Sequence, residues 1–375
     1  MLKNFIYNLI KLVLPADQNA KIKFFYKYIN AKINRIIGRS FIPDPRNSIH
    51  IETTSHCNLD CVFCAYGKKT SPKLHVSFDH FKKRVLEAVD AGYKCVDLTP
   101  ITGDVFMDKK FIEKLHFLEH CDNLEFFTFY TNAVLFDEKK IKEIFSFKKL
   151  GYCRLSIYGH DLDSFSKIAR GNKNQYKLLI NNLNSLLKFD KSFFDGRINI
   201  NFKSYYDFNI NNFEKNNKYQ NPEIAILTKK LAKKLDITLN KPYTLNNWGG
   251  LISNKPEDLN YANLKITDSK VPKSGACNLI FSDLQIMADG TVNACACRDV
   301  DATLRIGNVN EQKLKDIVST KNKNYKELID NQQEGKFNDI CRSCDYYRSI
   351  YVKRKYSQQT KFKNYNKIED FLKNY

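Results

Sequence analysis

No apolar run in these 375 residues approaches the roughly 18 that a membrane-spanning helix needs, so a transmembrane helix is excluded. A clean secretion signal is missing as well. The apolar stretch from Phe5 to Leu14 is interrupted by Asn8 and Lys11 and is followed by Pro15 and Asp17, with no small-residue cleavage site. It reads as a short amphipathic helix packed against the next one. The alternative is a helix on a membrane surface, with Lys3, Lys11, Lys21 and Lys23 facing lipid phosphates. Arginine is scarce, at 12 of 61 basic residues, so the formal net charge of +20 is mostly lysine. Such a charge suggests nucleic acid, anionic membrane or phosphorylated partners. Solvated lysine on surface faces is the favoured account, because the chain is also dense in Asn, Ile, Phe and Tyr, as AT-rich codon usage produces. The hydrophobic share of 43% and aromatic share of 13% exclude a disordered chain.

What is present in quantity is cysteine. Eleven, an odd number in a chain without a secretion signal, argues for metal or redox chemistry in a reducing, cytoplasmic compartment rather than for a disulfide framework. From residue 48 short β-rich runs alternate with helical ones, the pattern of a parallel sheet with crossover helices. Strands are predicted at Ser48 to Thr54, Lys94 to Thr99, Leu124 to Tyr130, Tyr152 to Ile157, Arg197 to Phe202 and Ile237 to Leu239. Helical periodicity falls at 78–91, 109–120, 137–147, 173–188 and 222–235. The fold class is therefore α/β, a partial (β/α)6 TIM-like barrel with a small C-terminal cysteine-rich α+β region. Its functional groups are expected beyond the C-terminal ends of the strands. The expected boundaries are a basic helical extension over 1–45, the barrel over 46–240, a linker over 241–276, the cysteine-rich region over 277–345 and a basic tail over 346–375.

Cys57, Cys61 and Cys64 follow directly on the first strand, so three thiols converge in the first loop of the barrel mouth. Thiolates suit zinc and iron-sulfur clusters, and both would hold these cysteines deprotonated. A cubane with three protein ligands leaves one iron open to an exogenous chelator. Structural zinc would need a fourth ligand, for which His56 and His75 are the nearby candidates.

This CxxxCxxC loop resembles that of the radical S-adenosylmethionine (SAM) superfamily. The resemblance implies a 4Fe-4S cluster whose open iron is chelated by SAM. It further implies reductive cleavage to methionine and a 5'-deoxyadenosyl radical, which removes a substrate hydrogen. Phe63 matches an aromatic near the adenine. Gly103 and Asp104 stand where the family has a Gly-Gly-Glu-like motif holding the methionine amino group, with Thr102 and Asp104 replacing the first glycine and the acid. Thr131-Asn132-Ala133 resembles the family's Thr-Asn-Gly turn, and Ser156 its ribose or carboxylate contact. Arg170 resembles a recurrent arginine able to pair with the SAM carboxylate by a bidentate fork; a surface arginine capping a helix is the other reading.

A second set begins at Cys277, continues through a hairpin turning at Asp289-Gly290 to Cys295 and Cys297, and ends at Cys341-Arg342-Ser343-Cys344. From spacing alone, a zinc ribbon and a second cluster are both open. The region resembles the SPASM/Twitch auxiliary-cluster extension in its shorter form. That resemblance implies one auxiliary 4Fe-4S cluster on Cys277, Cys295, Cys341 and Cys344. Cys297 is left over as a core residue, a spare ligand or a hydrogen-atom donor. Cys95, Cys121 and Cys153 read as core.

Relatives with an auxiliary cluster oxidise an aminocyclitol alcohol, oxidise a Ser or Cys of sulfatases, or cross-link peptides. A dehydrogenase needs a base and an electron acceptor near the substrate, the acceptor being the auxiliary cluster. Tyr158, His160, Lys203 and Tyr205 are the catalytic candidates by position, with Asn199, Asn201 and the Trp248-Gly249-Gly250 segment also expected to line the cavity. The favoured function is a radical SAM oxidoreductase acting on a sugar, aminocyclitol or nucleotide-linked sugar. A peptide-modifying maturase is the alternative, as is, from another class, a zinc-containing RNA-binding protein. Expected partners are a small-molecule or peptide substrate and a low-potential electron donor such as flavodoxin or ferredoxin; membrane contact and nucleic acid are disfavoured.

Overall fold

The computed structural model describes residues 16–215, 218–219, 221–239, 244–257, 259–260, 262–267, 271–353 and 365–375, with side chains from residue 25 onward. The amphipathic stretch Phe5 to Leu14 lies outside the described residues. The first described helix, Ala16–Ile36, buries Ala31 and leaves Phe25, Ile29, Ile33 and Ile36 exposed. No helix among the described residues is long and apolar enough to cross a membrane.

Strand β1 (Ile42–Pro43) precedes five parallel strands: β2 (Ser48–Ile51), β3 (Cys95–Asp97), β4 (Phe126–Thr131), β5 (Leu150–Tyr158) and β6 (Ile198–Lys203). Crossover helices at Phe78–Asp90, Phe111–Glu119, Glu138–Ser146 and Lys173–Leu186 match the periodicity in the sequence. Ser77, Asp137 and Asn172 cap three of them, each side chain accepting a hydrogen bond from the first turn. The segment Ile237 to Leu239, expected as a sixth strand, follows helix Glu223–Leu235 without pairing.

A strand from the cysteine-rich region extends the sheet instead. β7 (Gln285–Ile286) lies parallel to β2, with His50 opposite Gln285, and continues antiparallel into β8 (Thr291–Asn293) and β9 (Arg305–Asn308). One eight-stranded sheet, in the order β6-β5-β4-β3-β2-β7-β8-β9, thus joins the barrel to the C-terminal region. The expected basic tail also packs back, since β10 (Tyr365–Asn366) pairs with β1 and helix Ile368–Asn374 buries Phe371.

Strand alternation divides the barrel wall. Ile49, Ile51, Val96, Phe127, Phe129, Cys153, Leu155 and Ile157 are fully buried in the core with the helices. The opposite face carries His50, Tyr130, Tyr152, Arg154, Tyr158, Asn199, Asn201 and Lys203, all half-buried. Interiors of closed barrels are normally filled with branched aliphatic side chains. This one is polar.

Candidate active site at the barrel mouth

Cys57, Cys61 and Cys64 line one cavity of about 180 Å³ at the C-terminal ends of the strands, together with Asp104, Thr131, Asn132, Ser156, Tyr158, Lys203 and Trp248. The loop is held by its own neighbours. Tyr66 Oη accepts from the Cys57 amide at 3.1 Å, and Asn132 Nδ2 donates to Asn58 Oδ1 at 2.7 Å. Gln175 donates to the Asn58 carbonyl from the helix beyond β5. Burial pushes all three thiols up, Cys64 to about 11, and at Cys61 the charges of Cys64 and Cys57 add to it. Among the described residues no three His, Cys, Asp or Glu side chains are set to hold a single metal ion. An iron-sulfur cluster spreads its thiolates over several irons, and the three cysteines line the same cavity.

Asp104 is the organising acid of the opposite wall. It is 2% exposed and accepts from Thr131 Oγ1 at 2.9 Å, the Asn132 amide at 2.7 Å and the Phe106 amide at 3.0 Å. Burial raises its pKa and these bonds oppose the rise. Gly103 is needed beside it: φ is +142°, and a Cβ there would meet the His56 carbonyl oxygen at 2.9 Å. Phe63 is buried edge-on to Tyr158, with ring centroids 5.1 Å apart, and its carbonyl accepts from Trp248 Nε1 at 2.8 Å.

Several expected residues stand elsewhere. Arg170 ends helix Leu162–Ala169 in a left-handed conformation and pairs with Asp60 at 2.8 Å, with its side chain 44% exposed and no place in the cavity lining. This is the helix-capping alternative. His160 is 2% exposed, stacks on Phe208 at 4.2 Å and bonds Ser204 through Nδ1 at 2.7 Å. Tyr205 packs edge-on to His160 and donates to Asp163. Both belong to an aromatic cluster behind the strand ends, leaving Tyr158 and Lys203 as the catalytic candidates that reach the cavity. His56 and His75 stack on each other at 4.3 Å, and His75 bonds Thr54, so neither lines the cavity as a fourth ligand.

The second cysteine set converges too. At Cys341 the charges of Cys277 and Cys344 add to burial in raising the pKa to about 12, and at Cys295 those of Cys297, Cys277 and Cys344 do the same. Backbone donors already face these sulfurs: the Arg348 amide lies 3.4 Å from Cys277 Sγ and the Tyr346 amide 3.3 Å from Cys344 Sγ. Gln332 Nε2 lies 3.6 Å from Cys341 Sγ, and Lys273 is close enough to interact with Cys344, Cys341 and Cys277. Donors and a cation around buried thiols suit a group that keeps them anionic. Cys297 is partly buried and interacts electrostatically with Tyr130 of the barrel wall.

The two sets are bridged by Trp248-Gly249-Gly250, three consecutive residues with positive φ. Trp248 reaches the cluster loop. A Cβ on Gly249 would meet the Ile340 carbonyl oxygen at 3.0 Å and one on Gly250 the Ser343 Cβ at 2.9 Å, so both glycines lie flat against the helix bearing Cys341.

Residues 51–194 match the radical SAM superfamily, and residues 277–345 match the SPASM iron-sulfur cluster-binding domain. The chain belongs to the radical SAM superfamily. A radical SAM protein of this kind uses a 4Fe-4S cluster with SAM and, through the SPASM domain, an auxiliary iron-sulfur cluster, which decides between clusters and zinc at both cysteine sets. When bound, the reduced cluster and SAM together supply the 5'-deoxyadenosyl radical that abstracts hydrogen.

Among solved structures the radical SAM fold is shared with BtrN in complex with AdoMet and 2-DOIA, at 14% identity over 80% of this chain and 92% of that one, TM-score 0.52. Lower scores are found for Streptococcus suis SuiB bound to precursor peptide SuiA (14% identity, 82% of this chain and 70% of that one, TM-score 0.43). The same holds for anSMEcpe with AdoMet and Cp18Cys peptide (16% identity, 81% and 87%, TM-score 0.45). No curated protein matches the sequence.

Proposed function

We propose that this radical SAM protein is an oxidoreductase that takes a hydrogen atom from a sugar, an aminocyclitol or a nucleotide-linked sugar. The observation that carries the reading is the polar inner wall of the barrel. Hydroxyl, amide and cationic groups of Tyr130, Tyr152, Arg154, Ser156, Asn199, Asn201 and Lys203 replace the usual aliphatic filling. Such a wall offers hydrogen bonds to a polyhydroxylated ligand at a cost that an apolar substrate would not repay. The fold shared with BtrN, whose complex contains AdoMet and 2-DOIA, agrees with a small polar substrate.

In this reading Cys57, Cys61 and Cys64 hold the SAM-binding cluster, and Cys277, Cys295, Cys341 and Cys344 hold the auxiliary one. Gly103, Asp104, Thr131 and Asn132 receive the methionine end of SAM, while Phe63 and Ser156 border its adenosine. Arg170 is left out because it is engaged with Asp60. In oxidation of a secondary alcohol the carbon gives up a hydrogen atom, the hydroxyl a proton, and the carbonyl forms with loss of one electron. The hydrogen atom leaves in 5'-deoxyadenosine, and the electron consumed in cleaving SAM is matched by the one released, for which the auxiliary cluster is the acceptor.

The test is anaerobic reconstitution with iron and sulfide, then chromatography for 5'-deoxyadenosine after adding SAM and dithionite. The assay is repeated with deuterated aminocyclitols, sugars and nucleotide sugars, and with peptides of about 20 residues. Deuterium appearing in 5'-deoxyadenosine from a sugar or cyclitol supports the reading. Transfer from peptides alone would replace it with a maturase, and absence of SAM cleavage by a fully loaded protein would remove it.

A further inference from the structure

We infer that the outer face of helix Ala16–Ile36 is a docking surface for an anionic lipid bilayer, on which the helix lies flat. The inference is independent of the substrate reading above. One side of this helix is fixed to the C-terminal part of the chain. Ala31 is buried there, Asn34 Nδ2 donates to the Tyr351 carbonyl at 2.9 Å, and the Arg35 guanidinium donates to the Gln333 carbonyl and lies 5.8 Å from the Tyr351 ring centre. The other side is open.

That open side is apolar. At 3.6 residues per turn Phe25, Ile29, Ile33 and Ile36 fall within an arc of about 80°, with Ala31 on the far side. All four are exposed, Phe25 at 63% and Ile36 at 84%, and Ile37 extends the patch past the last turn. Of the thirteen exposed large apolar side chains among the described residues, six stand between Phe25 and Ile37, and the other seven are spread from Leu74 to Tyr346. Single exposed apolar residues are ordinary on a protein surface, whereas a continuous stripe marks something that binds there.

Charge selects the occupant. Residues 21–39 hold six basic residues, Lys21, Lys23, Lys27, Lys32, Arg35 and Arg39, and no acidic one. Lys32 is exposed next to the stripe, its Nζ 5.5 Å from the Tyr28 ring centre, and Arg39 is exposed just past the helix end. A second copy docked on the same face would set these cations against their equals. Protein interfaces are depleted in lysine, yet four of the six are lysines. An apolar stripe flanked by lysines instead matches a helix lying in the plane of a bilayer, side chains among the acyl chains and ammonium groups among the phosphates. The overall net charge alone carries little weight toward a membrane; here it is concentrated beside an uncovered apolar face, and stable anchoring takes two such signals together.

The experiment is anaerobic co-flotation of the reconstituted full-length protein with vesicles of phosphatidylcholine alone and of phosphatidylcholine containing about 30 mol % phosphatidylglycerol. Binding to the anionic vesicles is expected, at least tenfold tighter than to the neutral ones and weakened by high salt. The double variant I33Q/I36Q should weaken it tenfold or more, and K32E/R39E should remove most of the preference for anionic lipid. L178Q, which changes an exposed apolar residue on a barrel helix, should bind as the parent does. All the variants should keep native iron content and SAM cleavage, because none of these residues lines the cavity of the cluster loop. The proposal is overturned if the parent binds neither vesicle, if it binds both equally, or if I33Q/I36Q binds as the parent does. Light scattering then says what covers the stripe: a dimer that I33Q/I36Q dissociates assigns it to a second copy, and a monomer without vesicle binding assigns it to the segment Phe5 to Leu14.

Discussion

Trp248 Nε1 donates to the carbonyl of Phe63 at 2.8 Å, tying residue 248 to the position just before Cys64. The chain's one tryptophan is therefore a clasp on the cluster loop and a reporter of it. Loading iron should quench its emission, and chelation should restore it. Trp248→Phe should cost about 1 kcal/mol in urea unfolding, the worth of one hydrogen bond, and make the cluster easier to strip. Emission indifferent to iron content would contradict this placement.

Replacing Cys57, Cys61 and Cys64 together by alanine should abolish 5'-deoxyadenosine formation. Cys341→Ala should lower iron per chain while sparing SAM cleavage more than substrate turnover, because Cys341 stands with the other thiol set. Equal loss of cleavage and turnover in Cys341→Ala would mean that the two sites do not act separately.

Glu52 joins the two regions, its carboxylate accepting from the Ile101 amide at 3.0 Å and the Ala288 amide at 2.9 Å. Burial raises its pKa from 4.5 to about 7. The folded protein then holds this proton more tightly than the unfolded chain, so stability falls as pH rises from about 4.5 to 7, by about 3 kcal/mol. Urea midpoints of the metal-free protein at pH 5 and pH 7.5 should show the fall. Glu52→Gln should flatten it, at a lower overall stability because one acceptor is lost.

Gly103→Ala adds a Cβ at 2.9 Å from the His56 carbonyl oxygen at a φ of +142°. A cost of about 1–3 kcal/mol is expected, with weaker SAM binding because the adjacent Asp104 must shift. Unchanged SAM affinity would show that Asp104 keeps its place without the glycine.

Arg170→Ala should leave the SAM dissociation constant within twofold and change stability by less than about 1 kcal/mol. Its partner is Asp60, and both side chains are nearly half exposed. A tenfold loss of SAM affinity would return Arg170 to the cofactor.

The cluster loop was legible in the sequence because its three ligands lie within eight residues of one another, and a short loop after a strand leaves them little room to diverge. Helix positions were legible for a similar reason, since periodicity and caps are local. Tyr158 and His160 looked alike as residues at a strand end. They part because Tyr158 continues the inner-face alternation of β5, whereas His160 lies past the turn at Gly159 and packs on Phe208. Arg154 carried a usable signal, two and four residues before Ser156 and Tyr158 on the same strand face. Arg298 carried none, because its partners Asp345 and Tyr346 lie nearly fifty residues further along the chain.

By itself, then, the sequence determined the chemistry: a thiol-rich, disulfide-free α/β chain with a CxxxCxxC loop, a second cysteine set and no membrane-spanning run. Only the tertiary structure decided that β7 joins the barrel sheet at β2, that Trp248 closes on Phe63 and that Arg170 turns to Asp60. Each of these is a contact between residues distant in the chain. Local propensity sets the direction of a strand or a helix, but a side chain's partner across such a distance is chosen by how the assembled elements pack.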